Sequence, residues 1–196
     1  MELNKKRINI EKLVLAAIMT ALVIIFQMLA TFTTFFGPFS TAIGLIPIVI
    51  GAAMCGVAVG GWLGLVFGIV VLLTGGANLF LAFDVLGTLV TVLVKGTACG
   101  LAAAVTYKLL ERFNKYIAVF AAAIVCPIVN TGVFILGGIV FFMDDAVMIA
   151  EAIGSSDVGL ALFWAMAMGN FLFELGMNIV LSPVILRILN LRKKNA

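Results

Sequence analysis

Lys95 is the residue with which any chemistry in this chain has to begin. Every other Lys or Arg lies at a chain end or in one short basic stretch, whereas Lys95 sits in the apolar run DVLGTLVTVLVKGTACGL from Asp84 to Leu101. At helical spacing Asp84, Thr88, Thr91 and Lys95 fall at i, i+4, i+7 and i+11, one polar stripe on an otherwise greasy helix. A cation at bilayer depth costs about 2.5–3.5 kcal/mol on insertion scales, so it needs a partner, a cavity or a task. Near the C-terminus Asn170, Glu174 and Asn178 repeat at i, i+4 and i+8, a second polar face that brings a carboxylate. Asn130 and Thr131 follow Pro127 in a third apolar run, and Gln27 and Thr31 stand in the first. Together these side chains suit the binding of a small polar molecule. The plainer possibility is that Lys95 and Glu174 form an interhelical ion pair, that Thr88 and Thr91 bond their own backbone carbonyls, and that Asn130 and Asn178 join helices.

Other chemistries have little to work with. There is no His, and Cys55, Cys99 and Cys126 are far apart in sequence, so neither a metal site nor a His-based acid/base pair is expected and no catalytic residue is assigned. Neither GxxxxGK[ST] nor GxGxxG occurs, which removes a nucleotide-binding domain, and nothing supports a nucleic-acid role.

The elements that must position these residues follow from composition. The 196 residues are 64% hydrophobic and 11% charged, with a mean hydropathy of +1.30, against about 25% charged in soluble proteins. This is the signature of an all-α integral membrane protein, and at about 20 apolar residues per span the length accommodates about six helices without a soluble domain. After a basic leader, apolar segments are expected at residues 13–36, 42–55, 58–74, 84–107, 117–143 and 160–189, forming one domain over residues 1–196. The first is too long for a signal-peptide core and leads to no A-x-A-like cleavage site. The block from 42 to 74 is too long for one span, and its glycine-rich middle is where it would turn.

Charge placement gives the topology. The leader, residues 108–115 and the C-terminal tail hold every Lys and Arg except Lys95, so the positive-inside rule puts all three in the cytoplasm. The glycine-rich block must then cross twice, and a compact bundle of six transmembrane helices with both termini cytoplasmic results. Asp144, Asp145, Glu151 and Asp157 fall in an outward connection. Lys95 then lies about 16 Å below the outer end of its helix, near Asn170 and Glu174 at about 15 and 21 Å. Phe32, Phe35, Phe36 and Phe39 flank Gly37-Pro38 in the first outer loop, where they could be interfacial or form a lid over a pocket. In the first helix Ala17 and Ala21 form a small-xxx-small pair that lets another helix approach closely.

Several stretches, taken in order, resemble the substrate-binding S components of energy-coupling factor (ECF) transporters, which import water-soluble vitamins in prokaryotes. They are AIMTA from Ala17 to Ala21, the glycine-rich stretch from Ile46 to Gly68, VNTGVFILGG from Val129 to Gly138, and FELGMN from Phe173 to Asn178. The branch that includes pantothenate, riboflavin and folate S components looks most similar, although many relatives carry an Arg near the place of Lys95. The resemblance implies a plasma-membrane protein that captures a vitamin from outside. A transmembrane T component and two ATPases would drive release inward, with ATP and Mg on those partners and no cofactor on this chain. It implies a ligand site near the outer ends of the fourth to sixth helices, and docking of the T component on Ala17 and Ala21.

Lys95 suggests a ligand bearing a carboxylate, and the amides and hydroxyls suggest hydroxyl or amide groups on it, which pantothenate offers. Neutralisation of Lys95 by Glu174 would instead favour riboflavin or a pyridoxine-like compound, and a folate S component belongs to the same branch. Outside this class, a self-sufficient secondary transporter would need an inverted repeat, which is not evident. A membrane-embedded enzyme would need an acid/base or metal constellation, and a structural subunit would bind no small molecule.

Overall fold

A computed structural model of the chain describes residues 2–33, 44–141 and 156–195, and these are helical apart from short turns. Six helices follow in order: α1 (Glu2–Thr33), α2 (Leu45–Cys55), α3 (Val57–Leu73), α4 (Val85–Leu110), α5 (Lys115–Phe141) and α6 (Ser156–Asn195). A single helical turn, Asn78–Leu81, lies between α3 and α4. The basic leader continues directly into α1 rather than standing apart from it. The phenylalanine-rich loop at 34–43 and the acidic connection at 142–155 lie outside the described residues.

Among the described residues, four helices carry segments long and apolar enough to cross a membrane, Ile10–Ala30, Val85–Leu110, Lys115–Phe141 and Met168–Asn190. Their outward faces suit lipid and not water: Leu86 and Val180 are 71% and 70% exposed. α1 shows the division plainly, with Met19, Val23 and Ala30 buried and Leu13, Ile18 and Ile25 exposed.

α2 and α3 are shorter, and the chain doubles back between them at Gly56. Its φ of 97° and ψ of −173° belong to a region that only glycine adopts without strain. Gly56 donates to Ala52 O and accepts from Gly60 N, each at 3.0 Å, so the reversal leaves neither peptide group unpaired. Beyond it, Gly60 faces Ala52 and Gly51 faces Leu63, the pattern of an antiparallel pair. α3 ends at a second positive-φ glycine, Gly75, with Gly76 N donating to Val71 O at 3.0 Å in a Schellman-type closure.

The centre of packing is α2. All eight residues from Leu45 to Ala52 are buried, and α2 contacts each of the other five helices. A helix apolar on every side and covered by protein has no lipid-facing length to match, so eleven residues suffice for it. α3 crosses α4 with backbones nearly touching: a Cβ on Gly60 would stand 2.6 Å from Gly100 O, and Gly64 and Gly96 each face the other's carbonyl. α4 also packs along α5, after a turn in which Asn114 Oδ1 accepts from Tyr116 N at 2.8 Å and caps the start of α5. α6 packs on α5 and α2, and α1 on α2 and α3.

Candidate functional site

α4 and α6 each rest on α5 and on α2, but among the described residues they are not packed substantially on one another. A strip between them is thus walled by α5 and backed by α2, and the two polar faces identified from the sequence belong to the helices on its sides. Lys95 lies deep in the bundle yet keeps part of its surface accessible. Glu174 is buried at 4% exposure. Among the described residues, however, no ion pair joins Lys95 and Glu174, so the direct bridge that the sequence allowed is not formed. α5 intervenes, and its side chains take up both groups.

Glu174 is held by amides. Asn130 Nδ2 on α5 donates to Glu174 Oε2 at 3.1 Å, and Asn178 Nδ2, one turn along α6, donates to the Glu174 backbone carbonyl at 2.8 Å. Ser182 Oγ continues the line by donating to Asn178 O at 2.7 Å. Asn130 follows Pro127 by three residues, and the proline's missing N–H removes one backbone bond from α5 near this point. Thr131 is buried beside Asn130.

Lys95 Nζ stands 4.9 Å from the centre of the Phe134 ring, a cation–π contact. Phe134 in turn meets Phe80 of the short helical turn edge-to-face, with centroids 5.1 Å apart and planes at 86°. Aromatic contacts therefore run from the cation to the connection preceding α4. Sequence reasoning missed both rings. Phe134 lies one turn beyond Asn130 and Thr131, within the segment already singled out, and that spacing was the available signal.

The two threonines of the α4 stripe behave differently. Thr88 Oγ1 donates to Asp84 O at 2.6 Å, the backbone bond anticipated for it. Thr91 does not do this: its Oγ1 is buried with no hydrogen-bond partner, against Gly137 of α5. Asn130, Asn170 and Asn178 likewise each present a buried Oδ1 without a partner. A buried polar atom left unpaired costs about 1–3 kcal/mol, and these four oxygens belong to polar residues of α4, α5 and α6.

Not every candidate converges there. Asp84 is the extended N-cap residue of α4, about 16 Å along the axis from Lys95. Gln27 is buried on α1, with its Oε1 beside Gly44, and among the described residues α1 packs on α2 and α3 and not substantially on α4, α5 or α6. The Thr31 side chain lies outside the described residues. Ala17 and Ala21 are exposed on the outer face of α1. Trp62 on α3 reaches α1 by donating Nε1–H to Thr20 Oγ1 at 3.2 Å and takes no part in the strip.

The family model described as ECF transporter, substrate-specific component matches residues 11–186, which include α2, α4 and α5 and all but the last turns of α6. Searches of curated proteins and of solved structures give no match.

Proposed function

Since the chain belongs to the family of ECF transporter substrate-specific components, we propose that it captures a small water-soluble vitamin from outside the cell in the strip between α4 and α6. Membership makes it a substrate-binding transporter subunit rather than an enzyme. The observation that carries capture at this place is the set of buried, unpartnered oxygens, Thr91 Oγ1, Asn130 Oδ1, Asn170 Oδ1 and Asn178 Oδ1, around a cation and a carboxylate that do not touch. Two opposite charges left unpaired in an apolar bundle are costly. A ligand that contacts both offsets that cost and supplies the missing hydrogen bonds.

Capture then proceeds by exchange of water for protein groups. Lys95 takes an anionic or accepting group of the ligand, with Phe134 holding the ammonium from one side. Glu174, kept in place by Asn130, and the free amide oxygens take the donors. Pantothenate, with its carboxylate, two hydroxyls and amide N–H, is the vitamin of choice on these grounds. Riboflavin, folate and pyridoxine-like compounds are the alternatives. The chain itself supplies no energy-coupling device in this account. A T component and two ATPases drive release, and the exposed Ala17–Ala21 face of α1 is the docking surface for the T component. Both termini lie in the cytoplasm of a prokaryotic cell, with six crossings of the plasma membrane.

Native mass spectrometry of the gently solubilised chain tests capture without a choice of vitamin. A co-purified small molecule at one per chain is expected. A folded chain with no bound molecule, and none acquired from a vitamin mixture, would leave a structural subunit as the better description.

A further inference from the structure

The amides around Glu174 cannot be turned over. Asn130 Nδ2 donates to a Glu174 oxygen, which only accepts while the carboxyl is ionised, and Asn178 Nδ2 donates to a backbone carbonyl, which only accepts. Reversing either amide would lose its bond and set oxygen against oxygen. What each has left to offer is therefore fixed as an acceptor, and both Oδ1 atoms are buried and unpartnered. Asn130 and Asn178 are 3% and 0% exposed, so bulk water does not serve them. On the opposite side Lys95 offers donors only, and among the described residues it makes no ion pair. One turn away on the same face, the unpartnered Thr91 hydroxyl is 3% exposed and can accept or donate.

We propose that the site selects its ligand by polarity: one anionic or strongly accepting group, in the simplest case a carboxylate, for Lys95, and at least two hydrogen-bond donors, hydroxyl or N–H, for the Asn130–Glu174–Asn178 edge. This rests on the capture function and narrows it. Cations lack the group for Lys95 and are repelled by it. Polyacids place acceptors against the fixed oxygens. Uncharged donor-rich compounds satisfy one edge and leave Lys95 without its anion. Thr91, one turn from Lys95 on α4 and against Gly137, contributes to selection by completing a hydrogen bond that the empty protein lacks.

Six probes test the proposal by calorimetric titration of the full chain in lipid nanodiscs. Pantothenate and biotin each combine a carboxylate with donors, and pantothenol and biotinol are their carboxylate-free alcohols. Thiamine is a cation, and riboflavin is donor-rich without a carboxylate. At least one of the two acids binds, and its alcohol is weaker by about tenfold or more, the scale of a charge-assisted bond. The Lys95→Met variant closes the gap between acid and alcohol. Thr91→Val and Asn178→Leu weaken the acid by about threefold to tenfold, while Thr91→Val raises the melting temperature of the empty chain, because a buried hydroxyl without a partner has been removed.

Equal binding of acid and alcohol by wild type, or preference for thiamine or riboflavin, overturns the polarity rule and leaves capture standing. Affinity unchanged in Thr91→Val and Asn178→Leu means that these oxygens hold solvent only, and it overturns the donor edge. Should Lys95→Met fail to fold, the comparison of acid with alcohol on wild type still decides. No binding by any of the six to a folded chain overturns capture and the polarity rule together.

Discussion

Glu174 shows how a buried carboxylate in this bundle depends on single neighbours. Its Oε2 accepts from Asn130, a bond to a charged group of the kind worth about 1.5–3 kcal/mol. Asn130→Leu should therefore lower unfolding stability in detergent by that order. In a Glu174→Leu background the same change should cost much less, and a double-mutant cycle reads the coupling directly. Strict additivity would mean that the two side chains do not act as a pair. At this scale the sequence showed which polar residues share a helix face, and the 130–174 bond joins two of those faces. It did not show that Lys95 lies over Phe134, because a phenylalanine in an apolar helix reads the same whether it faces lipid, a neighbour or a cation. Nor could it separate Thr88 from Thr91. Both can bond the preceding turn, and only the packing of Thr91 against Gly137 distinguishes them.

The α3–α4 crossing positions the helix that carries Lys95, and it relies on glycines that read from sequence only as a place to turn. Gly64 and Gly96 each face the other helix's carbonyl, and a Cβ on Gly68 would lie 2.8 Å from Val92 O. Gly64→Ala must push the helices apart, at about 1–3 kcal/mol for overpacking. Gly176→Ala on α6 is the control: a Cβ there meets nothing within 4 Å, so the change should be neutral or stabilising by up to about 1 kcal/mol. Thermal unfolding of the two variants in the same detergent checks the contrast, and equal effects would remove the close crossing as the cause. The turn at Gly56 is where the glycine-rich run suggested one. The central role of α2 was not legible, since an apolar run looks alike whether protein or lipid covers it. Eight successive buried residues, and contacts with all five other helices, are properties of the packed bundle alone.

For the whole molecule, the apolar composition, the helical bundle and the family match agree on a membrane-embedded substrate-specific subunit. The orientation proposed for it rests on the basic stretches and has its own check. In a cysteine-free background, Asn114→Cys between α4 and α5 should react with an impermeant maleimide only after the inner face is opened, and Ala82→Cys before α4 should react from outside. The reverse pattern would invert the bundle and place the α3–α4 connection inside. α4 and α6 both lie against α2 and α5, and under the proposed capture function Lys95 and Glu174 serve a ligand instead of each other. Capture is tested most directly by equilibrium binding of pantothenate to the purified chain, wild type beside Lys95→Met, with a panel of other water-soluble vitamins in parallel. One vitamin should bind wild type tightly and bind Lys95→Met at least about tenfold more weakly, in keeping with loss of a charge-assisted bond. Tight binding that is indifferent to Lys95→Met would contradict the central place given to Lys95, and folded wild type that binds no vitamin would contradict capture itself.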